Sequence, residues 1–148
     1  MPADLDLVRR LAAADSGLAI FTTTRPDGSV QASLVNAGVL DDPVTHRPAV
    51  AAVVRAGAYK MKLLRHTRRA TVVFRSGWEW VAVDGPVTLI GPDDTETRFD
   101  FVNLPQLLRD VFTAAGGTHD DWDEYDRVMA AERRTAVFVD PLRITSNG

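Results

Sequence analysis

The stretch "VVRAGAYKMKLLRHTRRA", residues 53–70, decides how this chain is organised. The apolar run "AVAAVV" (Ala49–Val54) leads into it and has the pattern of a buried strand, and "ATVVFRS" (Ala70–Ser76) has that of the next strand. Between them, residues 59–66 have the spacing of one short helix. The stretch contains no acid, and its basic residues are Arg55, Lys60, Lys62, Arg65, His66, Arg68 and Arg69.

This positive charge belongs to one part of an acidic protein. The 148 residues carry a formal net charge of −3, yet residues 43–78 contain eight Lys or Arg and no Asp or Glu. The remainder of the chain therefore has a net charge of −11. Domains that bind duplex nucleic acid are usually basic overall, whereas a local basic patch suits a compact anion such as a phosphate. Nucleic acid is accordingly not expected as a partner.

The elements on either side of this stretch are mostly strands. Towards the N-terminus, the pattern predicts a helix over 4–15 and a hairpin whose strands, 18–24 and 29–40, are joined by the turn "RPDG". Towards the C-terminus, a tight turn at 76–77 leads into a strand over 78–91. A helical segment then begins at Asp93 or Asp94, is interrupted at Pro105 and ends at 116–117.

A second helix is predicted over 118–134, with Thr118 or Asp120 as its N-cap. The last strand covers 135–145, and Pro141 restricts it to an edge or a bulge. Short turns join most of the strands, which favours antiparallel pairing. Six strands in this order close readily into a small barrel, so we expect one mainly β domain with peripheral helices over residues 1–148.

Several classes of protein are excluded by what the sequence lacks. No apolar run is long enough to span a bilayer, and the N-terminus lacks the basic-then-apolar order of a secretory signal, so no membrane partner and a cytoplasmic location are expected. The chain contains no cysteine, no common nucleotide-binding loop and no nucleophile elbow. His46, His66 and His119 lie far apart, and the acids of "HDDWDEYD" (119–126) suit the first turn of a helix, so no metal site is predicted.

Lys60 differs from the other cations of the basic stretch. On a helical wheel it lies between Leu63 and Leu64, which are expected to face the domain, whereas Lys62 and His66 point the opposite way. Lys60 is also in the first helical turn, where the helix dipole disfavours a cation. A bound anion would remove both penalties. Alternatively, the apolar stem is covered and the ammonium group reaches water.

Two of the three tryptophans occur together in "GWEWVAVDG". Trp78 and Trp80 are two residues apart, so they are expected to project from one face of a strand. They either pack in a core or a subunit interface, or form one wall of a site for a planar ligand. A pocket at a dimer interface would satisfy both interpretations.

The order of these elements and motifs resembles the pyridoxamine 5'-phosphate oxidase-like split β-barrel flavoproteins. It is most similar to their actinobacterial branch that uses the 8-hydroxy-5-deazaflavin coenzyme F420. The resemblance extends over nearly the whole chain. It rests on the motifs "K-x-x-x-L-R-x-x-x-R-A" after the third strand, "GW-x-x-x-A-x-x-G" and "DWD-x-Y".

The resemblance implies a six-stranded antiparallel split barrel that forms a homodimer, with two equivalent cofactor sites at the interface. It implies that Lys60, assisted by Arg55 and next to Tyr59, holds the cofactor phosphate. Gln31 and Ser33 match positions on the second strand that approach the ring system, and Trp78 and Trp80 match aromatic positions contributed by the other subunit.

The implied function is hydride transfer from coenzyme F420 to a small unsaturated or conjugated acceptor. In such a reaction the cofactor carries the chemistry, so no catalytic side chain is predicted. The outward cations Lys62, Arg65 and Arg69 are expected to follow the anionic glutamate tail of F420. An FMN-dependent oxidoreductase on the same fold is the first alternative, and a binding protein without turnover is the second.

Overall fold

The structure, a computed structural model, describes residues 4–148, and its main feature is a closed antiparallel barrel. Six strands follow one another around the barrel in the order β1-β2-β3-β6-β5-β4, and β4 returns to β1. A seventh strand extends the sheet along β5. The strands are β1 (Leu18–Thr24), β2 (Val30–Asp41), β3 (Pro48–Arg55), β4 (Arg69–Ser76), β5 (Glu79–Ile90), β6 (Arg134–Val139) and β7 (Arg143–Ser146). The predicted six-stranded antiparallel barrel is therefore confirmed.

Four α-helices lie outside or at the end of the barrel. They are α1 (Leu5–Ala14), α2 (Tyr59–Thr67), α3 (Leu104–Ala114) and α4 (Trp122–Ala131), and a 3-10 turn over Phe101–Asn103 precedes α3. Asp4 caps α1, because its Oδ1 accepts a hydrogen bond from the Leu7 backbone N–H at 3.0 Å. None of the helices within residues 4–148 has the length and apolar character needed to cross a bilayer.

The barrel is split because β2 changes partner along its length. Its first half, residues 30–36, pairs with β1, and its second half, residues 37–41, pairs with β3. Residues 53–55 of β3 run on beyond the last β2 pair and are bonded only to β6. A gap therefore opens between the first half of β2 and the end of β3, next to the start of α2.

The last two strands are one strand interrupted by a bulge. Both pair antiparallel with β5, with Val139 opposite Val87 and Arg143 opposite Asp84, so one extra residue lies on the β6–β7 side. The backbone of the bulge lies so close to β5 that a Cβ on Gly85 would be 1.8 Å from the Asp140 carbonyl oxygen. The bulge falls at Pro141, as the sequence predicted.

Two groups of apolar residues fill the molecule. One fills the barrel and includes Phe21, Met61, Leu64 and Phe74, all almost fully buried. The other packs α3 and α4 on the outer surface of β3 and β6, where Phe138 is fully buried. The two helices therefore form an outer layer beside the gap in the barrel.

Three details of the predicted elements are wrong. No helix begins at Asp93 or Asp94, because the buried Asp94 carboxylate instead binds the Arg65 guanidinium, with its Oδ1 2.7 Å from Arg65 Nε, and accepts from Thr135 Oγ1. The N-cap of α4 is Asp121, whose side chain accepts from the Glu124 N–H at 3.1 Å. Trp78 lies in the two-residue turn before β5, because Ser76 pairs directly with Glu79.

Candidate functional site

The gap in the barrel opens into a cleft of about 520 Å³. It lies between the parted strands β2 and β3, the start of α2, and the α3–α4 layer. Among residues 4–148, its lining is mostly apolar and includes three cations and no carboxylate. The lining residues come from four places: β2 with the preceding loop (Ser16, Leu34, Val35, Asn36), β3 and α2 (Val53, Val54, Arg55, Ala58, Lys60), α3 with its C-terminal end (Val111, Phe112, Ala115, Gly116, Gly117), and α4 with β6 (Tyr125, Met129, Arg134).

Lys60 occupies the position that the helical wheel predicted. Leu63 and Leu64 are buried against the barrel, and Lys60 beside them is half-buried, with its ammonium nitrogen 6.0 Å from the centre of the Phe21 ring. Partial burial removes water from the ammonium group and lowers its pKa. Within residues 4–148 no carboxylate pairs with Lys60. The cleft therefore has an uncompensated, partly desolvated cation at one end.

The backbone around Lys60 adds to the attraction for an anion. Ala58 precedes α2 and provides no side-chain cap, and the first turn of α2 contains no acidic residue. The positive end of the helix dipole is therefore unopposed by local side chains. Arg55, at the end of β3, lines the same cleft, is exposed, and has no ion pair in the described part of the chain. Arg55 and Lys60 therefore line the same cleft.

Arg134 is a cleft residue that the sequence analysis missed. It lies directly opposite Arg55 in the β3–β6 ladder, and both line the cleft. Its Nε and Nη2 atoms donate to Glu132 Oε1 at 3.0 and 2.8 Å. The signal in the sequence was the pair of arginines at 133–134, directly before the last strand, but the pairing of β6 with β3 is not visible in the sequence.

Gln31 and Ser33 lie on the face of β2 that points into the barrel, four and two residues, respectively, before the cleft residue Val35. They do not themselves line the cleft. The Gln31 Oε1 and Ser33 Oγ atoms are buried and, among the described residues, make no hydrogen bond. Ser33 is opposite Phe21, the ring that Lys60 approaches. Buried polar atoms normally have partners, so these two oxygens, which have none within residues 4–148, are buried at a cost that a hydrogen bond from a ligand would remove.

The other three predicted site residues lie outside the cleft. Tyr59 is half exposed and lines a second depression of about 430 Å³ on the other side of α2, together with Arg25, Lys62 and His66. Trp78 and Trp80 are at the tip of the β4–β5 hairpin, and Trp78 is 93% exposed. The chain therefore brings together Arg55 and Lys60, and leaves both tryptophans on its surface.

Two of the cations expected to point outward are engaged in ion pairs. Arg65 binds Asp94 through two nitrogens and also donates to the Ala56 carbonyl, so it fixes α2 to the loop after β5. Arg69 pairs with Asp84 across the β4–β5 ladder, at 3.3 Å. The prediction that Arg65 is available to an anionic ligand is wrong. The sequence of the basic stretch could not show that Arg65 binds Asp94, because Asp94 lies about thirty residues further along the chain.

The side of the cleft formed by α3 and α4 is aromatic. Phe112 packs against Tyr125 with ring centres 5.1 Å apart, and Met129 lies beside them. The Tyr125 hydroxyl donates to the Leu108 carbonyl at 2.9 Å, and burial raises the pKa of the phenol to about 12. Tyr125 therefore offers an apolar ring surface to the cleft but has no free proton for a ligand. The cleft combines a cationic end with a surface suited to a flat ring.

The fold is shared with solved structures of low sequence identity. A conserved hypothetical protein from Mycobacterium tuberculosis matches with a TM-score of 0.70 and 17% identity, over 99% of this chain and 85% of that chain. An FMN-binding protein related to pyridoxamine 5'-phosphate oxidase, from Nostoc punctiforme PCC 73102, gives 0.63 and 13%, over 95% and 79%. A protein named F420 reductase gives 0.61 and 12%, over 89% and 91%.

A heme-binding protein from Mycobacterium smegmatis has the same fold, with a TM-score of 0.63 and 18% identity, and this chain spans 55% of its length. No known protein family profile and no curated protein matches the sequence. The ligands named for these neighbours differ, so the fold alone does not select a cofactor. Six antiparallel strands parted between β2 and β3, together with these structural neighbours, show that the chain has the split β-barrel fold of the pyridoxamine 5'-phosphate oxidase-like proteins.

Proposed function

We propose that this protein is an oxidoreductase that binds reduced coenzyme F420 in the cleft and passes its hydride to a small unsaturated or conjugated acceptor, which leaves the cofactor oxidised. The observation that carries this proposal is the half-buried, unpaired Lys60 beside an uncapped helix start, at the end of a cleft with an apolar aromatic wall. A ligand that is anionic at one end and planar at the other fits both features. FMN has the same two features and is the alternative cofactor.

The residues of the cleft fit such a cofactor. Lys60 and Arg55 would hold the phosphate, because an ammonium or guanidinium group and a helix N-terminus all stabilise phosphate oxygens. Gln31 Oε1 and Ser33 Oγ, which are buried and have no hydrogen-bond partner among the described residues, lie nearer the start of β2 than the cleft residue Val35, and a ring edge that extended past Val35 would bond to them. The bound ring would therefore satisfy two polar atoms that are otherwise buried at a cost.

The cofactor, when bound, supplies the hydride, which explains why the cleft needs no nucleophile or general base. What the chain supplies is position and surroundings. The cations fix the phosphate, the unpaired oxygens of β2 fix the ring edge, and the apolar side chains of α3 and α4 keep water from one side of the cleft. No side chain of this protomer is assigned a proton-transfer role.

The second depression favours F420 over FMN. It contains Arg25, Lys62 and His66, lies on the other side of α2 from the cleft, and has no acid in its lining. Within residues 4–148, Lys62 has no ion pair. F420 carries an anionic glutamate tail beyond its phosphate, and this depression provides cations for the tail. FMN ends at its phosphate and would leave these cations unused.

We further propose that the protein is a homodimer in which Trp78 and Trp80 reach the cleft of the partner subunit. The outer surface of the β1–β2 hairpin has a row of exposed apolar side chains, with Leu34 61% exposed opposite Ile20 at 41% and Val30 nearby. Trp78 and Trp80 add two exposed aromatic side chains at the tip of the β4–β5 hairpin, and grouped exposed apolar residues of this kind mark an interaction surface. A second copy of the chain would cover it.

The test begins with protein purified from a host that lacks F420. A yellow protein with a flavin spectrum would favour the FMN alternative, and a colourless protein that then binds added F420 would support the proposal. Binding is followed by tryptophan emission, which a nearby ring should quench saturably, and replacing Trp78 and Trp80 with Phe should remove most of that change. Wild-type protein that binds neither cofactor would overturn the proposal.

A further inference from the structure

The cationic end of the cleft holds more positive charge than one phosphate contact requires. Arg55, Lys60 and Arg134 all line it, and no carboxylate does. Arg55 and Arg134 are also directly opposite each other on adjacent strands, where α-carbons are about 5 Å apart and like charges destabilise the sheet. Two like-charged arginines therefore lie on opposed residues at the cationic end of a cleft that also contains Lys60.

Glu132 is the only counter-ion that the described part of the chain provides for these three cations. It lies at the C-terminal end of α4, two residues before Arg134, and binds Arg134 Nε and Nη2 through one oxygen, Oε1. Arg134 Nη1 makes no hydrogen bond among the residues described. Arg134 is therefore only partly satisfied by its neighbour, and about three quarters buried.

We propose that Arg134 is a third anion-binding residue of the cleft and that Glu132 pairs with it until the ligand binds. In the free protein, Glu132 neutralises Arg134 and limits its repulsion with Arg55. When an anionic group of the ligand enters, Arg134 contacts it, and the ligand competes with Glu132 for the guanidinium group. The occupant is the phosphate of the cofactor, or an anionic group of a substrate bound beside it, at this end of the cleft. This inference rests on the proposed function, because it concerns the same cleft.

The arrangement has a consequence that a purely structural ion pair does not have. If Glu132 competes with the ligand for Arg134, removing the Glu132 charge must tighten binding, because the free guanidinium no longer has to be released. The same change must destabilise the free protein, because the opposed arginines lose their counter-ion. Loss of stability in the free protein, combined with a gain in affinity, distinguishes this role from damage to the fold.

The experiment measures the affinity of F420 and of FMN for wild-type protein and for Glu132→Gln, Arg134→Gln and the double variant, by isothermal titration. For whichever cofactor binds, Glu132→Gln should tighten binding about three- to ten-fold and Arg134→Gln should weaken it about ten-fold. The double variant should match Arg134→Gln, because Glu132 acts only through Arg134. Thermal unfolding of the free Glu132→Gln protein should occur at a lower temperature than in the wild type, and the bound cofactor should offset the difference.

Two controls separate the outcomes. Glu124→Gln removes the same charge from the same helix, but at a residue paired with Arg127 on the surface, and should change affinity less than about two-fold. The phosphate-free chromophores, riboflavin and the deazaflavin ring alone, should bind all variants equally. Two outcomes would overturn this inference but leave the proposed function standing. In both, the wild type binds the cofactor, and either Arg134→Gln binds it with the same affinity or Glu132→Gln binds it more weakly. Absence of cofactor binding by the wild type would overturn the proposed function and this inference with it.

Discussion

Lys60 and Lys62 are two residues apart in α2, but only Lys60 is half-buried in the cleft, whereas Lys62 is exposed on the other side of the helix. We expect Lys60→Ala to weaken cofactor binding by about ten- to a hundred-fold, the effect of losing one charge-assisted phosphate contact of about 1.5–3 kcal/mol. The free energy of unfolding should change little, because the substitution removes a cation from the first turn of α2, where the helix dipole disfavours positive charge.

Lys62→Ala is the matched control for that prediction. Its cost should be much smaller and should disappear at high salt, because exposed charges are screened. Isothermal titration of both variants at low and high salt makes the comparison. If Lys62→Ala is as harmful as Lys60→Ala, the basic stretch acts as a diffuse field and Lys60 has no special contact.

The pKa of Lys60 predicts a pH dependence of cofactor binding. Desolvation lowers this pKa, so in the free protein Lys60 loses its proton at a lower pH than an exposed lysine does. A bound phosphate restores the proton, and affinity should therefore fall as the pH rises through the lowered pKa. In the unliganded protein the sign is the reverse: the charged ammonium costs stability below that pKa, and the cost is relieved as the pH rises.

Lys60→Arg provides the control for this pH profile, because a guanidinium group stays charged over the whole range. Cofactor affinity measured from neutral pH up to the ordinary pKa of lysine should decline at the alkaline end in the wild type and remain flat in Lys60→Arg. Titration of the cofactor ring affects both proteins equally and cancels in the comparison. The same decline in both proteins would show that Lys60 is not the titrating group.

At the scale of the elements, the bulge between β6 and β7 depends on one glycine of β5. A Cβ on Gly85 would meet the Asp140 carbonyl oxygen at 1.8 Å and the Leu142 nitrogen at 3.1 Å, both of them backbone atoms that cannot rotate away. Gly85→Ala should therefore destabilise the protein by about 3 kcal/mol. Gly57→Ala, where a Cβ would have nothing within 4 Å, should be neutral or slightly stabilising. Chemical denaturation of the two variants checks this, and equal stability would show that the bulge can shift.

Elements determined by local pattern were predictable from the sequence. The wheel of α2 placed Leu63 and Leu64 inside and Lys60 at the boundary because helical periodicity depends only on neighbouring residues. The bulge was predictable because proline cannot donate to a sheet ladder. The predicted start of a helix at Asp93 or Asp94 failed for a different reason. Acids before an apolar run are typical of an N-cap, but the partner of Asp94 is Arg65, twenty-nine residues earlier.

The candidate site was only partly predictable for the same physical reason. Arg55 and Lys60 are five residues apart, so the end of a strand and the start of a helix bring them together locally. Arg134 joins them only through the pairing of β3 with β6, which links residues about eighty positions apart. No periodicity in a single sequence encodes that pairing.

At the scale of the whole molecule, the exposed apolar row on β1 and β2 predicts the oligomeric state. We expect a dimer at micromolar concentration, and Leu34→Glu should convert it to a monomer because it places a charge at the centre of the covered surface. Val102→Glu is the control, since Val102 is 78% exposed but lies in the turn before α3. Light scattering distinguishes the outcomes, and a monomeric wild type would remove the shared-site proposal.

The position of β6 in the chain determines when the anion site can form. β6 closes the barrel between β3 and β5, yet it is the sixth of the seven described strands in the order of synthesis. Until residue 134 has emerged from the ribosome, β3 and β5 present open edges, which are prone to pair with other chains. Until that step, Arg55 has no arginine opposite it. Barrels that are closed by pairing strands far apart in sequence also form slowly. A nascent or truncated chain that lacks β6 therefore cannot use the complete set of three cations proposed to bind the anion. The same chain also passes through a late stage of folding in which its open strand edges are prone to aggregate.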